Sequence, residues 1–255
     1  MKNKPSGFPV GMAPYQVTVA YDGTEFSGFQ RQKNARSVQG ELENALQNLG
    51  WLDKAILFAG RTDAGVHAEA QVISFQIEWK HGVSDLKKAL NDNLPGDIAV
   101  QEVKTTHGDF HPRYDAKTRI YHYQIYTSET RNPLFERFYW RVWPAPDSEI
   151  LAESTKDLIG TYDFRLLGCE INNEGKNTMR TVDFAEWQIM EGNRLFFIIG
   201  ARSFLYHMVR RIVFLLVKIG QRNLEGIRWN LINEDAELPA GLAPAKGLFL
   251  EKVIY

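Results

Sequence analysis

The sequence predicts an α+β protein made of two halves, each running β-α-β-β-α-β, the split order of ferredoxin-like units. Three observations carry this reading. Short strand-like runs alternate with amphipathic helical stretches along the whole chain. The order strand, helix, strand, strand, helix, strand fits residues 15–104 and recurs loosely over 120–255. The segment 107–112 marks the joint between the two series. The division expected is a tail at 1–14, a first half at 15–106 and a second at 107–255, with a cleft between halves where ligands favour binding.

Taken in order, YQVTVAY (15–21) alternates Tyr15, Val17, Val19 and Tyr21 on one side, as a half-buried strand does. Residues 22–36 are polar and carry glycines, so they read as a loop. Ser37 has the character of an N-cap, and Val38, Leu42, Ala45, Leu46 and Leu49 form one helical face that Gly50 ends. Strands follow near 56–60 and 70–78, then a helix near 84–93 and a strand near 98–104. In the second half IYHYQIY (120–126) is a strand, 148–159 a helix, and TVDFAEWQI (181–189) and LFFIIG (195–200) are strands. The longest helix is expected over 203–219, and GLFLEKVIY (247–255) is the last strand.

With 255 residues, 44% hydrophobic and 24% charged, the chain has the balance of a globular protein with a sizeable core. The N-terminus lacks the apolar run of a signal peptide. The apolar stretch 204–219 is broken by His207, Arg210, Arg211 and Lys218, which argues against a membrane span. A lone cysteine, Cys169, excludes an internal disulfide and a multi-cysteine metal site, and six scattered histidines offer no metal spacing. The simplest expectation is a cytoplasmic protein. A net charge of −1 does not advertise nucleic-acid binding. Yet basic residues run together at Arg31, Lys33 and Arg36, at Arg113, Lys117 and Arg119, and at Lys176 and Arg180. Acidic ones gather at Glu41 and Glu43 and at 234–237.

The most informative segment is Ala59-Gly60-Arg61-Thr62-Asp63-Ala64-Gly65-Val66-His67-Ala68. Two glycines and a Thr-Asp pair between ILFAG and QVISF make a tight exposed turn, and loops on rigid strands often carry function. Turn chemistry alone favours the plainer reading, a β-turn with an Asx-type bond. Arg210 lies among Met208, Val209, Ile212, Val213, Leu215 and Leu216, and a buried arginine wants a carboxylate partner. The sequence does not name that partner. Arg211 is the rival, since consecutive helical residues point about 100° apart.

The string GRTDAGVHA resembles the signature of the TruA family of tRNA pseudouridine synthases. YDGTEFSGFQRQ (21–32), SVQGELENAL (37–46), RIYHYQIY (119–126), FLYHMVRRIV (204–213) and APAKGLFL (243–250) resemble its other motifs, in the family's order. The resemblance implies a pseudouridine synthase fold with a central antiparallel sheet. It implies that uridine becomes pseudouridine in the anticodon stem-loop of tRNA, about positions 38 to 40, without cofactor or metal. It also implies a homodimer with tRNA as partner. By the same resemblance Asp63 is the nucleophile, Arg61 binds substrate beside it, and Tyr121 is the active-site tyrosine. Arg210 pairs with the aspartate, and Leu248 lines the base pocket. The chain departs at Phe29, where tryptophan is common, and at Phe214, where glycine is expected. The loop 169–180 matches poorly, leaving Lys176 and Arg180 as generic phosphate candidates.

The reaction breaks the bond from C1′ to N1, turns the uracil and rejoins C1′ to C5. It needs a carboxylate but no redox step, and the base must first be flipped from the stack. Attack at C1′, attack at C6 and deprotonation at the sugar all use such a carboxylate. Two other classes compete: an RNA-binding module in which aromatics stack bases, and an N-glycosidase that hydrolyses the same bond. RNA mass separates them, since isomerisation leaves it unchanged and hydrolysis loses a base.

Overall fold

The structure, a computed structural model, describes residues 12–168, 177–222 and 238–255. Two compact units emerge, one of residues 1–64 with 68–116, the other of 65–67 with 117–255.

In the first unit β1 (Met12–Tyr21) pairs antiparallel with both β3 (His67–Glu78) and β4 (Ile98–Thr105). The two-residue β2 (Leu57–Phe58) pairs with β3. The order across the sheet is therefore β4-β1-β3-β2, every neighbour antiparallel. Burial alternates along β1 as the sequence requires, with Tyr15, Val17, Val19 and Tyr21 inside. Helix α1 (Val38–Asn48) starts where Ser37 Oγ accepts from Gly40 N at 3.3 Å. Such a cap contributes about 1 kcal/mol. Helix α2 is Val83–Asn93. Val38, Leu42, Leu46, Leu86 and Leu90 are fully buried beneath the sheet's apolar residues. Each aliphatic side chain so buried contributes roughly 1.5–3 kcal/mol.

In the second unit β5 (Thr118–Thr127) lies between β9 (Arg194–Ala201) and β10 (Leu248–Ile254), antiparallel to both. Beyond β9 come β8 (Met179–Met190) and β7 (Gly160–Asp163). Two strands were not expected from the pattern: β7, and β6 (Trp140–Val142), which runs parallel to β5. Both are too short to show a period of two. Helix α3 is Ser148–Lys156, capped by Asp147, and α4 is Met208–Gly220.

The expected helix over 203–219 is corrected to begin at Met208. His207 sits at φ +66°, a left-handed conformation that a right-handed helix cannot include. The apolar run FLYHMV hides that break. The helix expected over 148–159 ends at Lys156. Among the described residues no helix is long and apolar enough to cross a membrane.

Candidate active site

Arg61 and Asp63 belong to the first unit; Tyr121, Arg210 and Leu248 belong to the second. The aspartate loop leaves β2 under tight backbone control. Ala59 N donates to Val72 O at 2.9 Å. Gln71, fully buried, donates from Nε2 to Gly60 O at 2.8 Å and accepts from Gly60 N at 3.3 Å. Thr62 is buried, its hydroxyl 2.7 Å from that of Tyr21, and its carbonyl accepts from Phe29 N at 3.1 Å. Gly28, at φ +102°, lies flat on this segment: a Cβ there would stand 3.0 Å from Thr62 O and 3.4 Å from Ala64 N. Any side chain at 28 would push the loop away. Asp63 itself is half-buried and Arg61 exposed. The result is a half-buried carboxylate on a fixed backbone.

The segment 65–67 packs with the second unit, where the buried His67 ring stacks on Phe249 at 4.6 Å and meets Phe138 edge-on at 5.1 Å.

In β5, Tyr121 and Tyr123 face the same side of the sheet, as the period of two demands. Tyr121 stands opposite Leu250 and Tyr123 opposite Leu248 on β10. Tyr121 is buried with its ring edge-on to Phe204 at 5.3 Å. Tyr123 is fully buried and its hydroxyl donates to Pro244 O at 2.7 Å. Burial pushes its hydroxyl well above the ordinary tyrosine value, and the charge of Arg210 works the other way. Leu248 is buried. Gly247 lies against Tyr123, where a Cβ would come within 2.6 Å of the ring.

Arg210 is half-buried, less than the apolar run around it suggested, and its Nε donates to Ala243 O at 2.8 Å. Ala243 N in turn donates to Arg210 O at 3.2 Å. Arg211 takes a different course: its Nη1 donates to Gly241 O at 2.7 Å, and its guanidinium carbon lies 5.7 Å from the Phe214 ring. Phe214, where the sequence departs at glycine, packs against Gly241, at which a Cβ would lie 2.2 Å from the ring. Phe29, the other departure, is fully buried against Phe58 and Tyr21.

The basic runs fare unequally. Arg31 pairs with Glu43 at 2.6 Å, and Arg36 with Asp97 at 2.7 Å and Glu41 at 2.8 Å. The Asp97 hydrogen bond raises the Arg36 guanidinium above its ordinary value. Arg119 is buried and donates to the Arg202 carbonyl. Arg113 and Lys117 are exposed. Arg180 bonds the carbonyls of Asn177 and Met179, while Lys176 lies outside the described residues. Sequence reasoning missed Gln71, Gln39 and the burial of Glu43. A glutamine opening the apolar run QVISF was the available signal for the first.

A sequence model described as tRNA pseudouridine synthase matches residues 17–115 and 155–255. The chain is 41% identical over 242 residues to tRNA pseudouridine synthase A of Fervidobacterium nodosum, covering 94% of this chain and 98% of that one. It is 39% identical to the protein of the same name from Halalkalibacterium halodurans, over 91% and 89% of the two chains. The Streptococcus equi protein is also 39% identical, over 96% and 99%.

Proposed function

The chain belongs to the tRNA pseudouridine synthase family, and from that membership we propose that it isomerises uridine to pseudouridine in the anticodon stem-loop of tRNA, with Asp63 as nucleophile. The observation that carries the assignment is the setting of Asp63. Thr62 before it is buried and bonded, Gly28 lies against its backbone, and its own side chain is partly open. A nucleophile needs a defined position, and the bonds around this loop support one.

Tyr121 offers the uracil an aromatic face and a hydroxyl within a buried apolar wall that Leu248 continues. Arg210 is the catalytic arginine in this reading, its Nε donating to the Ala243 carbonyl. Arg61, exposed next to Asp63, takes RNA backbone or the space left by the flipped base. The reaction needs no added group: bond breaking, base rotation and rejoining use the carboxylate and proton transfers alone. We further read each unit as a ferredoxin-like half, supported by the orders β4-β1-β3-β2 and β10-β5-β9-β8. The enzyme acts as a homodimer in the cytoplasm on this reading, which light scattering of the purified protein checks for the dimer.

The test uses tRNA carrying tritium at uridine C5. Parent enzyme releases tritium to water while RNA mass stays constant. Asp63→Asn, nearly isosteric and on a loop, is expected to shift stability by about 1 kcal/mol or less. It binds tRNA and releases no tritium. Turnover within tenfold of the parent would remove Asp63 from the role, and loss of a base from the RNA would make the enzyme a glycosidase.

A further inference from the structure

The backbone grip on Asp63 leads back to a carboxylate buried away from solvent. Glu43, on α1, has a side chain only 2% exposed. Its Oε2 accepts from Arg31 Nη1 at 2.6 Å; its Oε1 accepts from Gln39 Nε2 at 2.7 Å and from Ile56 N at 3.2 Å. Those three donors come from three places: the loop after β1, the first turn of α1, and the strand entry that leads to the aspartate loop. Gln39, also buried, accepts from Arg31 N at 3.0 Å through Oε1, and its backbone N–H donates to Phe29 O at 2.9 Å. Val38 N donates to Gly28 O at 3.3 Å. The same Gly28 and Phe29 then bear on Thr62, Asp63 and Ala64. Arg31 closes the set by donating from Nη2 to Lys54 O at 3.3 Å.

We propose that Glu43, acting with Gln39 and Arg31, is a positioning residue for Asp63: it fixes loop 28–31, and that loop fixes the backbone of 62–64. The proposal rests on Asp63 being the nucleophile. A buried carboxylate is a costly way to hold a fold together, since apolar residues of like volume often stabilise as well or better. What an apolar residue cannot do is bind three N–H groups from separate segments and so set their spacing. Glu43 does this from a place that substrate does not reach. Arg31, by contrast, is half-exposed and would otherwise be taken for a phosphate contact.

Glu43→Gln isolates the effect. The amide oxygen keeps the bonds to Gln39 and Ile56, while the amide nitrogen is set against Arg31 and releases it. A misplacement of about 1 Å at a reacting group costs up to roughly 100-fold in rate. The expected result is a kcat at saturating tRNA lowered about 10- to 100-fold. The tRNA Kd stays within about twofold, in contrast to the uniform weakening that loss of a phosphate contact brings. Arg31→Lys, which keeps the charge and loses the fork, lowers kcat in the same direction, and the double variant loses less than the product of the two. It also serves if Glu43→Gln does not fold. A Glu43→Gln enzyme that turns over like the parent overturns the proposal. So does a kcat loss matched by the fall in folded fraction on melting, or an Arg31→Lys effect confined to tRNA affinity. If Asp63→Asn is inactive while Glu43→Gln is normal, only the positioning role fails; if Asp63→Asn is active, the nucleophile reading fails first.

Discussion

In the first unit the chain around Asp63 is fixed through its backbone, by buried polar side chains that reach in from elsewhere. Gln71 holds Gly60, Tyr21 holds Thr62, and Glu43 with Gln39 holds the loop that lies on Thr62, Asp63 and Ala64. In the second unit the candidate side chains are fixed directly. Sheet register sets Tyr121 and Tyr123 opposite Leu250 and Leu248, and Arg210 grips the Ala243 carbonyl with its own Nε. The difference teaches where damage should be read. Changes around Asp63 displace a group that is still present, whereas changes around Tyr121 and Arg210 remove the group itself.

The sharpest way to break this contrast is to compare the two tyrosines, which share a face of β5 while only Tyr123 is fully buried and bonded to Pro244 O. Tyr121→Phe is expected to lose roughly 10²–10⁴ in rate if its hydroxyl moves a proton, with tRNA binding nearly unchanged. Tyr123→Phe loses a buried bond to Pro244 O and should cost about 1 kcal/mol of stability with little loss of rate. Burial raises the Tyr123 hydroxyl well above the ordinary tyrosine value and its proton is given to Pro244 O, so it serves as a strut. Tritium release and denaturant midpoints on both variants decide the matter; equal rate losses would erase the distinction.

A smaller effect sharpens the second half of the contrast. Burial of an arginine with its carboxylate would predict a loss of about 3–5 kcal/mol on truncation. That figure holds for a fully buried site; Arg210 is only half-buried, so Arg210→Ala is expected to cost roughly 1.5–3 kcal/mol instead. Urea denaturation of parent and variant measures it. The smallest effect concerns charge. tRNA affinity should fall with salt, and Lys117→Ala should lower the slope of log affinity against log salt by about one unit. Arg36→Ala, whose guanidinium is already held by Asp97 and Glu41, should leave that slope unchanged.

The elements that were legible in the sequence were those whose own residues set their pattern. β1 alternates because one face is buried, α1 begins at a serine that caps it, and β5 shows its tyrosines two apart. What was not legible depends on partners distant in the chain. β6 and β7 exist only because β5 and β8 lie beside them. The start of α4 turns on the left-handed His207, which no apolar run announces. Glu43 reads as one more charge on a helix beside Glu41, yet it is buried because Arg31, Gln39 and Ile56 meet it there. As for the candidate site, periodicity gives Tyr121 and Tyr123 equal standing. Only the motif string separated them, and the bond from Tyr123 to Pro244 supplies a physical reason.

The packing of Phe214 on Gly241 constrains the order in which this chain can change. Position 241 is closed to side chains twice, by its φ of +148° and by the ring above it. Position 214 is closed by neither. A smaller residue can therefore arrive at 214 while 241 stays glycine, but nothing larger can arrive at 241 while the phenylalanine remains. A library that varies 241 alone should therefore return only glycine.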